Sequence, residues 1–190
     1  MLKEMLSYFI SLSFLLYHAI FPCSFPEELL VKSVDHQLYL GKWYFKAAVS
    51  HREADIQNFK AVDNVWFTLE KTDNDTLLLT GHVRIGDNCV NQTWTYHVRP
   101  ERDDMELEGK AERRNLLWSG KWANCPECII FQEIEPPLKP TDTVDSLDRL
   151  MLYARQSDVD SEVVTTFLKN AACHNKLATV QPPEEKEFCT

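Results

Sequence analysis

The sequence is short of glycine, short of positive charge, and free of repeats and low-complexity tracts. Five glycines in 190 residues leave few positions where the backbone turns left-handed without strain, which argues against tight two-residue hairpins. Lys and Arg number 20 against 29 Asp and Glu, a net charge of −9, and the pI is about 5.1. That balance excludes a nucleic-acid partner, whose phosphates demand a basic face. It also argues against charge-driven binding to an anionic membrane. The six histidines are scattered, so no metal site is expected. The chain carries no Ser-His-Asp pattern and no P-loop. Neither an enzyme nor a cofactor is expected.

What is present begins with six cysteines: Cys23, Cys89, Cys125, Cys128, Cys173 and Cys189. An even count beside an apolar N-terminus indicates an oxidising, secretory compartment and an extracellular protein. Two glycosylation sequons agree, Asn74-Asp75-Thr76 and Asn91-Gln92-Thr93. Asn74, in a turn-like Asp73-Asn74-Asp75, is the better acceptor, because Asn91 sits beside an expected strand. Residues 1–22 form a leader ahead of a single domain over 23–190. Lys3 precedes the apolar run at 5–22, as in a signal peptide. No position offers small residues at both places that a cleavage site needs. Two readings stay open: removal at a suboptimal site, or retention as an anchor helix lying in a lipid monolayer or bilayer.

After an N-terminal arm at 23–40, short alternating runs at 43–49, 62–69, 76–85, 89–98, 105–110, 116–122, 128–133 and 148–155 predict eight strands of an all-β meander. The polar connection 50–60 is placed to cover an open mouth. Pro136, Pro137 and Pro140 make the last connection a loop. One helix follows, with Ser157 or Asp158 as its cap and Asp160 and Glu162 at its positive end. Val163, Phe167 and Ala171 form a stripe that should pack outside the barrel. The tail at 177–190 should run extended to a cysteine anchor.

Gly41-Lys42-Trp43 opens the first strand, and Tyr153-Ala154-Arg155 closes the eighth. A closed barrel needs a sealed floor. An indole can supply it, with a guanidinium over its face and a glycine permitting close approach. These motifs, with the length and the cysteines, resemble the lipocalin family. What this implies is an eight-stranded antiparallel up-and-down barrel with one C-terminal helix. Cys23, Val62-Asp63-Asn64, Cys89-Val90, Trp94-x-Tyr96-His97, Cys125-Pro126, Leu152-Tyr153 and Cys173 resemble the apolipoprotein M branch of that family over nearly the whole chain.

The resemblance implies bridges Cys23–Cys173 and Cys89–Cys189. The third family bridge runs from the Cys-Pro strand to the helix, but Val163 stands at the helix position and Cys128 appears instead. A local Cys125–Cys128 bridge is one reading, a free redox or metal-binding pair the other. A thioredoxin-like pair needs a helix start in a βαβ setting, which favours the bridge.

Strand parity sends Trp94 and Tyr96 of the fourth strand, and Arg149, Tyr153 and Arg155 of the eighth, into the barrel. Arg155 has the floor Trp43; Arg149 has no evident inward partner, and a one-residue register slip would set it outward instead, beside Asp148 or Asp145. Lys110 is expected inward or near the rim. Apolar walls under two cations suit an acyl chain with an anionic head. The resemblance implies a carrier of sphingosine 1-phosphate or a similar lysolipid. Trp94, Tyr96, Arg149 and Tyr153 then match ligand positions, Glu133 is a partner for the ligand's ammonium, and Lys110 and Gln92 stand where the family has arginines. It also implies a small lipid and a lipoprotein surface (HDL, with LDL besides) as partners of a monomer with no integral span beyond the leader. The rivals are a retinol-type carrier of a neutral ligand, a lipid-isomerising lipocalin with a free barrel thiol, and a protein-interaction module acting through the lid or the helix.

Overall fold

The computed structural model describes residues 5–8, 10–11, 23–29, 39–136, 146–183 and 187–189. Eight antiparallel strands run in sequence order: β2 (Gly41–Ser50), β3 (Asn64–Asp73), β4 (Thr76–Ile85), β5 (Asn88–Val98), β6 (Met105–Leu107), β7 (Lys110–Ser119), β8 (Ile129–Glu135) and β9 (Leu147–Ala154). Each pairs with the next, and β9 pairs back on β2, so the sheet closes on itself. Closure removes exposed strand edges. Two short strands lie outside this cycle. β1 (Glu28–Leu29) adds to β7, and β10 (Ala178–Val180) adds to β2.

Period-two patterning builds two cores. Trp43, Phe45, Phe67, Tyr96, Phe131 and Tyr153 fill the interior. On the outside, Ala47, Val49, Ile130, Leu150 and Leu152 receive Phe167 and Ala171 from the helix α2 (Ser161–Cys173). A register shift between Phe45 and Ala47 lets β2 serve both, since an extra residue reverses the side-chain alternation. Thus Ala48 faces in while Ala47 and Val49 face the helix.

Several boundaries differ from the sequence reading. Asp160 caps α2, its carboxylate accepting from the Glu162 amide at 2.9 Å, so neither Ser157 nor Asp158 does. The strand expected over 116–122 starts at Lys110, and Trp122 belongs to a 3-10 turn, Gly120–Ala123. Two-residue hairpins do occur, joining β3 to β4, β4 to β5 and β6 to β7. Gly86 and Gly109 supply positive φ for two of them, and Asn74-Asp75 makes the first without glycine. The expected lid contains α1 (Glu53–Ile56) and a 3-10 turn, Gln57–Ala61.

Three disulfides join Cys23 to Cys173, Cys89 to Cys189 and Cys125 to Cys128. The last closes a turn in which the Cys125 amide donates to the Gly120 carbonyl and the Cys128 amide to the Cys125 carbonyl, each at 3.0 Å. The tail is strapped to β3. Asn64 donates to the Glu187 carbonyl and the Trp66 indole to the Cys189 carbonyl, both at 2.8 Å. Near the N-terminus, residues 5–8 and 10–11 are helical, and no helix among the described residues is long and apolar enough to cross a membrane. The connection beyond Pro136 falls outside the described residues up to 145.

Candidate functional site

The barrel has one sealed end. Arg155 lies 3.7 Å above the Trp43 ring and donates to the carbonyls of Leu40 at 2.8 Å and Lys42 at 3.2 Å. The Trp43 indole donates to the Tyr39 carbonyl at 2.8 Å. Gly41 adopts φ +92° beside the guanidinium. Partial burial lowers the Arg155 pKa.

Above this floor lies a cavity of about 320 Å³, within the range of small-ligand sites. Its walls differ. Val62, Val65, Val83 and Ile85 make an apolar side, while Arg113, Glu133 and Arg149 make a charged one, with Phe67, Tyr96, Met151 and Tyr153 beneath. Tyr96 and Tyr153 are held neutral: burial raises both phenols, and the Glu133 carboxylate adds to it.

Among the expected site residues, Trp94, Tyr96, Glu133, Arg149 and Tyr153 line this cavity, and so does Gln92. Lys110 does not. It is the exposed first residue of β7, and alternation back from Leu117 of the inner core puts it on the outer face. Arg113 takes the place in the wall. Starting the strand at Leu116 misses Arg113; the signal is its sharing of one face with Leu117, which lies in the inner core.

Arg149 has partners the sequence did not disclose. Its Nε donates to Glu133 at 2.6 Å, and a second nitrogen also pairs with that carboxylate. Glu133 lies directly across the β8–β9 ladder. Arg113 stands 3.7 Å from Glu133 and 2.8 Å from Glu135. The rim is therefore a mixed cluster, able to exchange ion pairs with a head carrying both signs.

Arg149 also reaches the lid. It donates to the Asp55 carbonyl at 2.9 Å and lies 5.0 Å over the Phe59 ring, which stacks on Phe45. The Asp55 carboxylate accepts from Ser50 at 2.7 Å and from the Asp148 amide at 3.3 Å, and pairs with Arg52. Burial pushes its pKa up. The bonds from Arg52, Ser50 and Asp148, with the Arg52 charge, outweigh burial and hold it below the ordinary 3.8. A depressed folded-state pKa contributes stability above the unfolded value, lost as pH falls through the folded one. Below about pH 3.8, amides 53–61 should therefore lose hydrogen-exchange protection, and Asp55→Asn should make them unprotected already at neutral pH. Equal protection in the wild type and Asp55→Asn at neutral pH would remove the carboxylate from the latch.

All six cysteines are paired, so none supplies the thiol that a lipid-isomerising lipocalin needs. Asn74 and Asn91 are both exposed.

The sequence model of the ApoM domain matches residues 1–190. Among solved structures, the siderocalin Ex-FABP, described as functioning through dual ligand specificities, superposes with a TM-score of 0.60 at 16% identity, covering 80% of this chain and 97% of its own. The siderocalin Q83, described as revealing a dual ligand binding mode, gives 0.63 at 17% identity, covering 82% and 95%. At such identities the likeness is one of fold.

Proposed function

We propose that this chain, which belongs to the ApoM-domain family of lipid-binding lipocalins, carries a lysolipid of the sphingosine 1-phosphate kind. The observation that carries this reading is the two-sided cup: an apolar wall opposite Arg113, Glu133 and Arg149. Burial of the tail supplies affinity, about 25 cal/mol per Å² removed from water. Arg113 and Arg149 receive the phosphate, and Glu133 exchanges Arg149 for the ligand's ammonium. A neutral retinol-type guest uses none of these charges.

The protein acts outside the cell, in this reading, on lipoprotein particles of the HDL class. The net charge of −9 leaves apolar insertion of the leader, rather than attraction to anionic lipid, as the means of attachment. Glycans at Asn74 or Asn91 would sit on exposed positions.

Titration with sphingosine 1-phosphate and with sphingosine tests the assignment. Wild type should prefer the phosphorylated lipid. Arg113→Ala should cut that preference about tenfold, the worth of one charge-assisted hydrogen bond. Lys110→Ala should leave it unchanged. Equal losses for the two lipids would end the headgroup role. Intact-mass analysis of secreted protein reads the leader, the glycans and the bound cargo together.

A further inference from the structure

The cavity-facing positions of β4 run Leu77, Leu79, Gly81, Val83 and Ile85. Four are bulky and the middle one is bare. Glycine weakens a strand interior, and Gly81 does not take a positive φ, so the backbone does not require it. Space does. A Cβ at Gly81 would lie 2.8 Å from Cζ3 and 3.2 Å from Cη2 of Trp94. Trp94 stands across from Leu79, and Gly81 across from Gln92, so the indole reaches diagonally over the bare position. Diagonal neighbours on a sheet are within reach of an aromatic ring, and a ring laid over a strand glycine shields the exposed backbone. Trp94 sits midway along β5, between Asn88 at the mouth and Val98 toward the floor. Trp94, Phe67 and Tyr153 line the same cavity, so a tail that reaches Phe67 and Tyr153 shares that space with the indole.

We propose that Gly81 is a notch that seats the Trp94 indole against the barrel wall and thereby sets the bore of the cup, admitting a long unbranched tail. This rests on the lipid-carrier reading for the identity of the guest. Gly81 is a positioning residue; Trp94 is what the tail touches. A methyl group at 81 cannot coexist with the ring where it stands, and a rigid ring yields only by turning off the wall. The bore then narrows below the rim, leaving Arg113, Glu133 and Arg149 untouched. The defect should depend on tail length, not on the headgroup.

The test uses oleoyl and octanoyl lysophosphatidate on the full, oxidised chain. Gly81→Ala should weaken oleoyl binding about tenfold, the cost of expelling about two methylene groups from apolar contact, and leave octanoyl binding unchanged. Gly81→Ala combined with Trp94→Phe should match Trp94→Phe alone, because the smaller ring no longer meets the methyl. In ligand-free protein labelled with fluorotryptophan, the Trp94 resonance, assigned by its loss in Trp94→Phe, should move in Gly81→Ala while that of Trp43 stays. Loss of both probes alike, no rescue in the double variant, or an unmoved Trp94 resonance overturns the notch. If wild type binds neither lipid, the carrier reading fails, and the fluorine spectrum still decides whether the notch exists.

Discussion

Arg149→Met should cost about 3 kcal/mol of stability and abolish the preference for a phosphorylated head. The stability figure sits at the low end for breaking a buried ion pair, for two reasons. The Arg149 and Glu133 side chains keep 16% and 9% exposure, and Arg113 remains 3.7 Å from the stranded carboxylate. For a chain of this size such a loss lowers the melting temperature by roughly 6–12 °C. The lid should loosen as well, since the Asp55 carbonyl loses its donor and Phe59 its cation. Adding Glu133→Leu should recover most of the stability, because removing both charges also removes the desolvation burden. It should not recover headgroup selectivity. Urea unfolding and paired lipid titrations read the two effects separately. A double variant no more stable than Arg149→Met would mean that the pair does not carry the destabilisation.

The barrel was legible because its signals are local or periodic. Gly41 and Trp43 in β2 and Arg155 after β9 mark the floor at two points far apart in sequence, and alternation puts Tyr153, Met151 and Arg149 on one face. What escaped depends on the ladder, which single-strand parity cannot see. The register shift between β6 and β7 hides where β7 begins, and a strand read from Leu116 leaves out Arg113, which alternation from Leu117 places inside while putting Lys110 outside. Lys46 is the residue between Phe45 and Ala47 where β2 bulges, so alternation alone missets everything after it. The Glu133 partner of Arg149 comes from the β8–β9 register, which no spacing within either strand discloses. Gly81 carried a signal of its own, a lone glycine among Leu and Val, but the ring that explains it lies on the neighbouring strand. The rivalry between a bridge and a redox pair at Cys125 and Cys128 was decided by the turn around Gly120, whose backbone hydrogen bonds bring the two residues together.

Replacing Cys89 and Cys189 by alanine should be far more damaging than replacing Cys125 and Cys128. The bridged cysteines are 100 residues apart in the first pair and 3 apart in the second. Constraining a loop of the first length removes unfolded-state entropy worth about 4.7 kcal/mol, and a ring of the second size about 2 kcal/mol by the same relation. The contacts around each pair widen the gap. Without Cys89–Cys189 the strap at 187–189 is held by the bonds from Asn64 and Trp66 and the edge contact between Phe188 and Tyr44, none of them covalent. The Cys125–Cys128 turn keeps Gly120 and the buried Trp122 in place through bonds that do not involve sulfur. The expected result is a fall in melting temperature of roughly 9–19 °C for the long bridge and about 4–8 °C for the short one, with lipid binding intact in the second variant. Equal losses would mean that the short bridge orients α2 on the barrel, the task that the resemblance assigns to a cysteine at the position held here by Val163.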